Sequence, residues 1–249
     1  MKNFTEPTIS DIKTSSVIFF DNDFTNECLN FCKTREISVL PDIHDHTKCY
    51  ILNDQDGFEQ KSITTNNLTD DSTPIFSDVI IKKFHQSDVL FTKNLSGYIS
   101  GVIHFCDYNK SIVNSYLYQQ FRLLEQSIRD LLVMYGKNNN DLLRFMATQT
   151  NKKPSSKQKN NTQLPFSEFN LSELILFARD EEIINIPYEI KDIRNDVMHM
   201  KDLVKRKDFI NNDLAYDKSS FFNFFEQIKN TDMAFMRVNN KISLKNMSL

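Results

Sequence analysis

The chain has 249 residues, 40% hydrophobic and 25% charged, with a formal net charge of −3, which fits one or two soluble globular domains with a sizeable core. It holds only 4 glycines and 0 tryptophans against 21 phenylalanines, a balance that reads as the imprint of an A/T-rich genome. The glycines (Gly57, Gly97, Gly101 and Gly136) fall at no spacing that makes a Rossmann G-x-G-x-x-G or a P-loop, so both glycine-cradled phosphate sites are excluded.

No apolar run approaches the ~20 residues of a membrane-spanning helix, and the N-terminus has no signal-like pattern. Cys28, Cys32, Cys49 and Cys106 lack the C-x-x-C spacing of zinc or redox sites, and read as reduced, mostly buried thiols of a cytoplasmic protein. Charge is uneven. Residues 1–110 carry 10 Lys+Arg and 16 Asp+Glu, and residues 111–249 carry 20 and 17, so net −6 gives way to +3.

In chain order, Val17–Phe20 is a short apolar run ended by Asp21-Asn22-Asp23. Apolar positions in Phe24–Thr34 predict a short helix capped by Asp23. Ile37–Leu40 and Cys49–Leu52 read as strands. The pattern then recurs: an apolar stretch at Ile75–Ile81, a strand at Asp88–Phe91, a turn at Ser96-Gly97 and a strand at Tyr98–Phe105. Two strand–helix–strand–strand passes, about 12–65 and 66–110, form a weak internal repeat.

Near Lys110 the character changes. Leu117, Phe121, Leu124, Ile128, Leu131 and Tyr135 predict a long amphipathic helix stopped by Gly136. Asp141–Ala147 is a further helical piece, and residues 150–163, with four lysines and no acid, predict a mobile basic loop. Helical pattern returns at Leu171–Glu182. After Asn185 (a cap) and Pro187 (a first-turn residue) comes a stripe of Ile190, Ile193, Val197, Met200 and Val204. Ser219–Asn230 is a last helix dense in phenylalanine, expected in a core or dimer interface. The fold class expected is α+β: an N-terminal α/β module followed by an all-α helical bundle over residues 111–249.

Two stretches carry resemblance. The segment from Gly101 to Asp107 resembles the end of a CBS-domain repeat, with Gly101 starting the last strand, Asp107 six residues on, and His104 standing where the family has Thr or Ser. That resemblance implies a ligand-sensing CBS pair over residues 1–110, with Gly101, His104 and Asp107 against an adenine nucleotide. The segment Arg194-Asn195-Asp196-Val197-Met198-His199, with the helices around it, resembles the signature of HEPN domains. That resemblance implies a homodimeric, metal-independent endoribonuclease. Arg194, Asn195 and His199 would be catalytic, and Glu125 and Arg129 possible supports.

The chemistry suits those residue types. The ribose 2′-OH is the nucleophile and lies in the RNA itself. A histidine supplies an acid–base group near neutrality, and a fixed arginine stabilises charge on the phosphorus centre. The products would be a 2′,3′-cyclic phosphate and a 5′-OH. Arg194 and His199 lie about 140° apart on one straight helix, so either the helix begins near Arg194 or the pair assembles across a two-fold axis. The reading is a nucleotide-regulated nuclease, a toxin or anti-phage effector, with no metal. The alternatives are a non-catalytic nucleotide-sensing regulator that binds RNA or protein, and a toxin held by a partner antitoxin. His44, His46 and Cys49 lack a fourth ligand, so no metal is expected there.

Overall fold

The computed structural model describes residues 5–55, 57–149, 155, 158, 165–207 and 216–247. The chain is α+β and divides into two compact units: Met1–Val113 with Arg206–Lys218, and Asn114–Lys205 with Ser219–Leu249. The expected boundary at 110/111 thus moves three residues, and a late segment belongs with the first unit. The expected basic loop at 150–163 lies outside the described residues, apart from 155 and 158.

The first unit holds α1 (Ile9–Ile12), α2 (Thr25–Arg35), α3 (Asp78–Gln86) and two three-stranded sheets. One sheet is β1 (Val39–Pro41), β2 (Lys48–Leu52) and β3 (Phe58–Ser62), antiparallel throughout. The other is β4 (Leu68–Asp70), β5 (Val89–Lys93) and β6 (Ile99–His104), with β4 parallel to β5 and β5 antiparallel to β6. Phe20 makes a parallel bridge to Asp42, just past β1. Extended chain, helix, then two antiparallel strands therefore occur twice: once around α2 and once around α3. Strands β3 and β4 have no counterpart among the predicted elements, because each is short and polar on its open face. Alternation makes β6 a half-buried strand, with Ile99, Gly101 and Ile103 inward. Helix α3 buries Ile80 and Phe84, four residues apart, on one stripe. Asp23 does not cap α2. Asp21 caps a 3-10 turn at Asn22–Phe24, accepting from the Asp23 amide at 2.9 Å, and α2 starts behind it without a side-chain cap.

The second unit is helical among its described residues: α4 (Ser111–Met134, begun in the first unit), α5 (Asn139–Gln149), α6 (Leu171–Asp180), α7 (Ile190–Met198) and α8 (Lys218–Met247). Of the predicted stripe, Leu117, Phe121, Leu124, Ile128 and Leu131 are buried on α4, whereas Tyr135 lies just past the helix and is half-buried. The Gly136 amide donates to the Val133 carbonyl and the Lys137 amide to the Leu132 carbonyl, so glycine in the left-handed region closes α4 as expected. Asn170 caps α6 in a reciprocal box with Glu173. Phe221, Phe224 and Phe225 are core residues. The last helix runs seventeen residues past its predicted end, to Met247.

The rarity of glycine leaves a mark on helix ends. Helices α2, α6 and α7 terminate through Glu36, Glu182 and Met200 at φ 55°, 52° and 51°, where glycine is usual.

Candidate functional site

In the first unit, Gly101 lies in β6 opposite Thr92. A Cβ there would stand 2.7 Å from Lys13 Cδ and 2.9 Å from the Thr14 carbonyl oxygen. Thr14 and Val102 exchange backbone hydrogen bonds at 2.8 and 3.0 Å, so the glycine lets the chain after α1 lie on the strand. Asp107 accepts from the His104 amide at 2.7 Å through one oxygen and pairs with Lys110 at 2.9 Å through the other. The His104 ring Nδ1 accepts from the Cys106 amide at 3.1 Å. These bonds cap the 3-10 turn Phe105–Asn109 from both sides. Burial lowers the His104 pKa, partly offset by Asp107, and pushes the Cys106 thiol up to about 11.

A pocket of about 700 Å³ opens in the same unit, at the carboxyl ends of the parallel strands β4 and β5. Thr8, Ser10, Asp70, Asp71, Lys93 and the turn before Tyr98 form its walls, and none of Gly101, His104 or Asp107 lines it among the described residues. Crevices at that end of parallel strands commonly hold ligands. Behind it, Lys13 pairs with Asp71 at 2.6 Å, and Ser100 donates to the same carboxylate at 2.9 Å. Burial alone would raise the Asp71 pKa, but hydrogen bonds from Lys13, Ser100 and Thr92 outweigh it and hold the carboxyl below its usual range. No sequence pattern points to this network, whose members lie up to 87 residues apart.

In the second unit, α7 positions the arginine. It begins at Ile190, after Glu189, so Pro187 stands outside it and Arg194 falls mid-helix. The option of a helix starting near Arg194 is therefore not realised. Ile190, Ile193 and Val197 face the core, Met200 is 58% exposed, and Val204 is buried beyond the end of the helix, so the expected stripe is not one continuous helical face. His199 is the C-cap, and the chain turns away through bonds from the Met200 amide to the Val197 carbonyl and from Lys201 to Asp196. Arg194 sits about 7 Å further back along the axis.

Glu125, 7% exposed, organises the arginine. Its Oε1 accepts from Arg194 Nε at 2.9 Å and Nη2 at 2.8 Å, and its Oε2 accepts from Arg129 Nη2 at 3.3 Å. Arg129 also donates to the Phe166 and Phe169 carbonyls at 3.2 and 3.1 Å, which ties α4 to the chain before α6. Two cations share one buried carboxylate, so the triad is net positive. Arg194 Nη1 donates to Asn195 Oδ1 at 3.4 Å. Of the five guanidinium N–H groups, one on each terminal nitrogen has no partner among the described residues. Asn195 and His199 are exposed, and the His199 ring makes no hydrogen bond or ion pair to the described residues. The structure thus joins Arg194, Asn195, Glu125 and Arg129 and leaves His199 outside their hydrogen bonds. Glu125 and Arg129, one turn apart, are readable as a pair from the sequence; the Phe166 and Phe169 carbonyls that complete the support are not.

Of the histidines near Cys49, His46 has a structural use. His46 Nδ1 accepts from the Ile99 amide at 3.2 Å, and its ring packs edge-on to Phe19 and Tyr98. Among the described residues no cluster of three or more His, Cys, Asp or Glu is arranged to hold a metal ion. No protein-family model matches this chain, and no curated protein matches it.

Proposed function

We propose that the chain is a metal-independent endoribonuclease of the HEPN type, acting as a homodimer, with Arg194, Asn195 and His199 at the cleavage site. One observation carries the reading: an arginine locked mid-helix by a buried carboxylate, with N–H groups to spare, on a helix that also presents an exposed asparagine beside it and an uncommitted histidine at its end. A guanidinium fixed in this way meets the negative charge that grows on a phosphate in the transition state without having to reorganise. His199 takes the 2′-OH proton. The 2′ oxygen bonds to phosphorus as the bond to the 5′ oxygen breaks, and a second histidine, from the other copy, protonates the leaving oxygen. Asn195 orients the arginine, and Glu125 and Arg129 act through it as positioning residues.

The N-terminal unit, on this reading, is a CBS-like sensor of an adenine nucleotide, and the repeated strand–helix–strand–strand connectivity supports it. RNA incubated with the purified protein in EDTA tests the nuclease, with AMP, ATP and cyclic oligoadenylates each added in turn. Wild type is expected to leave 2′,3′-cyclic phosphate ends, and His199→Ala to lose at least 100-fold in rate, on the order of general acid–base contributions. Equal cleavage by both proteins removes His199 from catalysis. The Arg194–Glu125 pair also favours a second reading, a helical unit that binds RNA or protein without cutting it. Intact RNA under every nucleotide condition selects that reading.

A further inference from the structure

Helix α8 is apolar on two opposite faces. Thr231, Ala234 and Val238 are buried on one. On the other, Met233, Met236, Leu244 and Met247 are 42%, 63%, 55% and 76% exposed. At 100° per residue these four fall within about 80° of arc, centred roughly 150° from the buried face. Asn240 lies in the middle of the exposed arc.

The stripe is palindromic. Met236 and Leu244 stand four residues either side of Asn240, and Met233 and Met247 stand seven either side. A two-fold axis through Asn240, perpendicular to the helix, therefore sets Met236 against Leu244, Met233 against Met247, and Asn240 against its own copy. An isologous interface requires this self-matching, which an unrelated partner does not. An amide can donate and accept at once, so two asparagines can pair across the axis and fix the register. The four side chains expose on the order of 450 Å², within the range of the largest apolar patch on a typical monomer. Two such stripes bring about 900 Å² together, at the small end of protein interfaces, where association is weak and concentration-dependent.

We propose that the solvent face of α8 from Met233 to Met247 is an antiparallel two-fold interface with a second copy of this chain. This association does not depend on RNA cleavage, so a failed nuclease assay leaves it standing. Sedimentation of the full chain across 1–100 µM, with and without Met236→Glu/Leu244→Glu, tests it. Wild type is expected to reach twice the chain mass, and the double variant to stay at one, with unchanged circular dichroism because both side chains are exposed. Wild type that stays monomeric at 100 µM, or a double variant that still dimerises, overturns the proposal. Orientation is read by oxidising Met236→Cys/Leu244→Cys beside each single variant. Cross-linking of the pair at least tenfold faster than of either single variant is expected, and equal rates overturn the antiparallel register.

Discussion

The two candidate segments use their polar side chains in opposite ways. Between Gly101 and Asp107 each group serves the local structure, since the glycine admits a neighbouring backbone while the histidine and aspartate cap a turn. Between Arg194 and His199 only one edge of the arginine is committed inward, to Glu125, while Asn195 and His199 point to solvent. A carboxylate whose two oxygens are already bonded offers little to a ligand. A guanidinium anchored on one side is better placed to bind an anion than a free one, because its ordering cost is met by the fold. Polar side chains thus mark structure in the first segment and a candidate for chemistry in the second.

The contrast is most easily broken at Glu125. Glu125→Ala leaves two arginines around a buried vacancy and is expected to cost about 3 kcal/mol in urea unfolding. A loss under about 1 kcal/mol would mean that Arg194 is not anchored as described. Gly101→Ala tests the structural role of the first segment. Its methyl would meet the Thr14 carbonyl oxygen, a backbone atom with little room to move, so about 2 kcal/mol should be lost. A neutral result would reopen Gly101 as a ligand residue.

Acidification separates the segments in another way. The fold depresses the His104 pKa below its ordinary 6.5, so neutral His104 contributes stability that is present above that value and lost as pH falls through the lower, folded one. Protonation also removes the ring acceptor of the Cys106 amide. Unfolding free energy is expected to fall as pH drops below about 6.5, and more steeply in wild type than in His104→Asn, which keeps a capping acceptor without the titration. Parallel pH profiles would show that His104 is not the group responsible. The smallest effect is a gain. Met200→Gly relieves a left-handed methionine at the end of α7 and should stabilise by about 0.5–1 kcal/mol, read as a higher urea midpoint. No gain would mean that the turn after His199 is not strained at Met200.

Periodicity makes most helices legible. The stripe on α4, the phenylalanines of α8 and the Gly136 stop can each be read from residues three, four or seven apart, because local spacing decides which face of a helix is apolar. The last helix outruns its predicted end because its second half is apolar on two faces, and the signal blurs. The ends of α7 depart from the pattern for a related reason. Met200 continues the 3.6-residue spacing, yet the chain leaves the helix at His199.

The amino-acid sequence by itself determined the α+β class, the change of character near residue 110 and the Arg–Asn–His string, since composition and short-range spacing carry them. The tertiary structure alone decided that Arg194 leans on Glu125, 69 residues away, that Arg129 is held by two backbone carbonyls, and that Gly101 is occupied by close packing. Those contacts depend on which distant backbone segments meet, and no local pattern of residues records where a buried charge will find its partner.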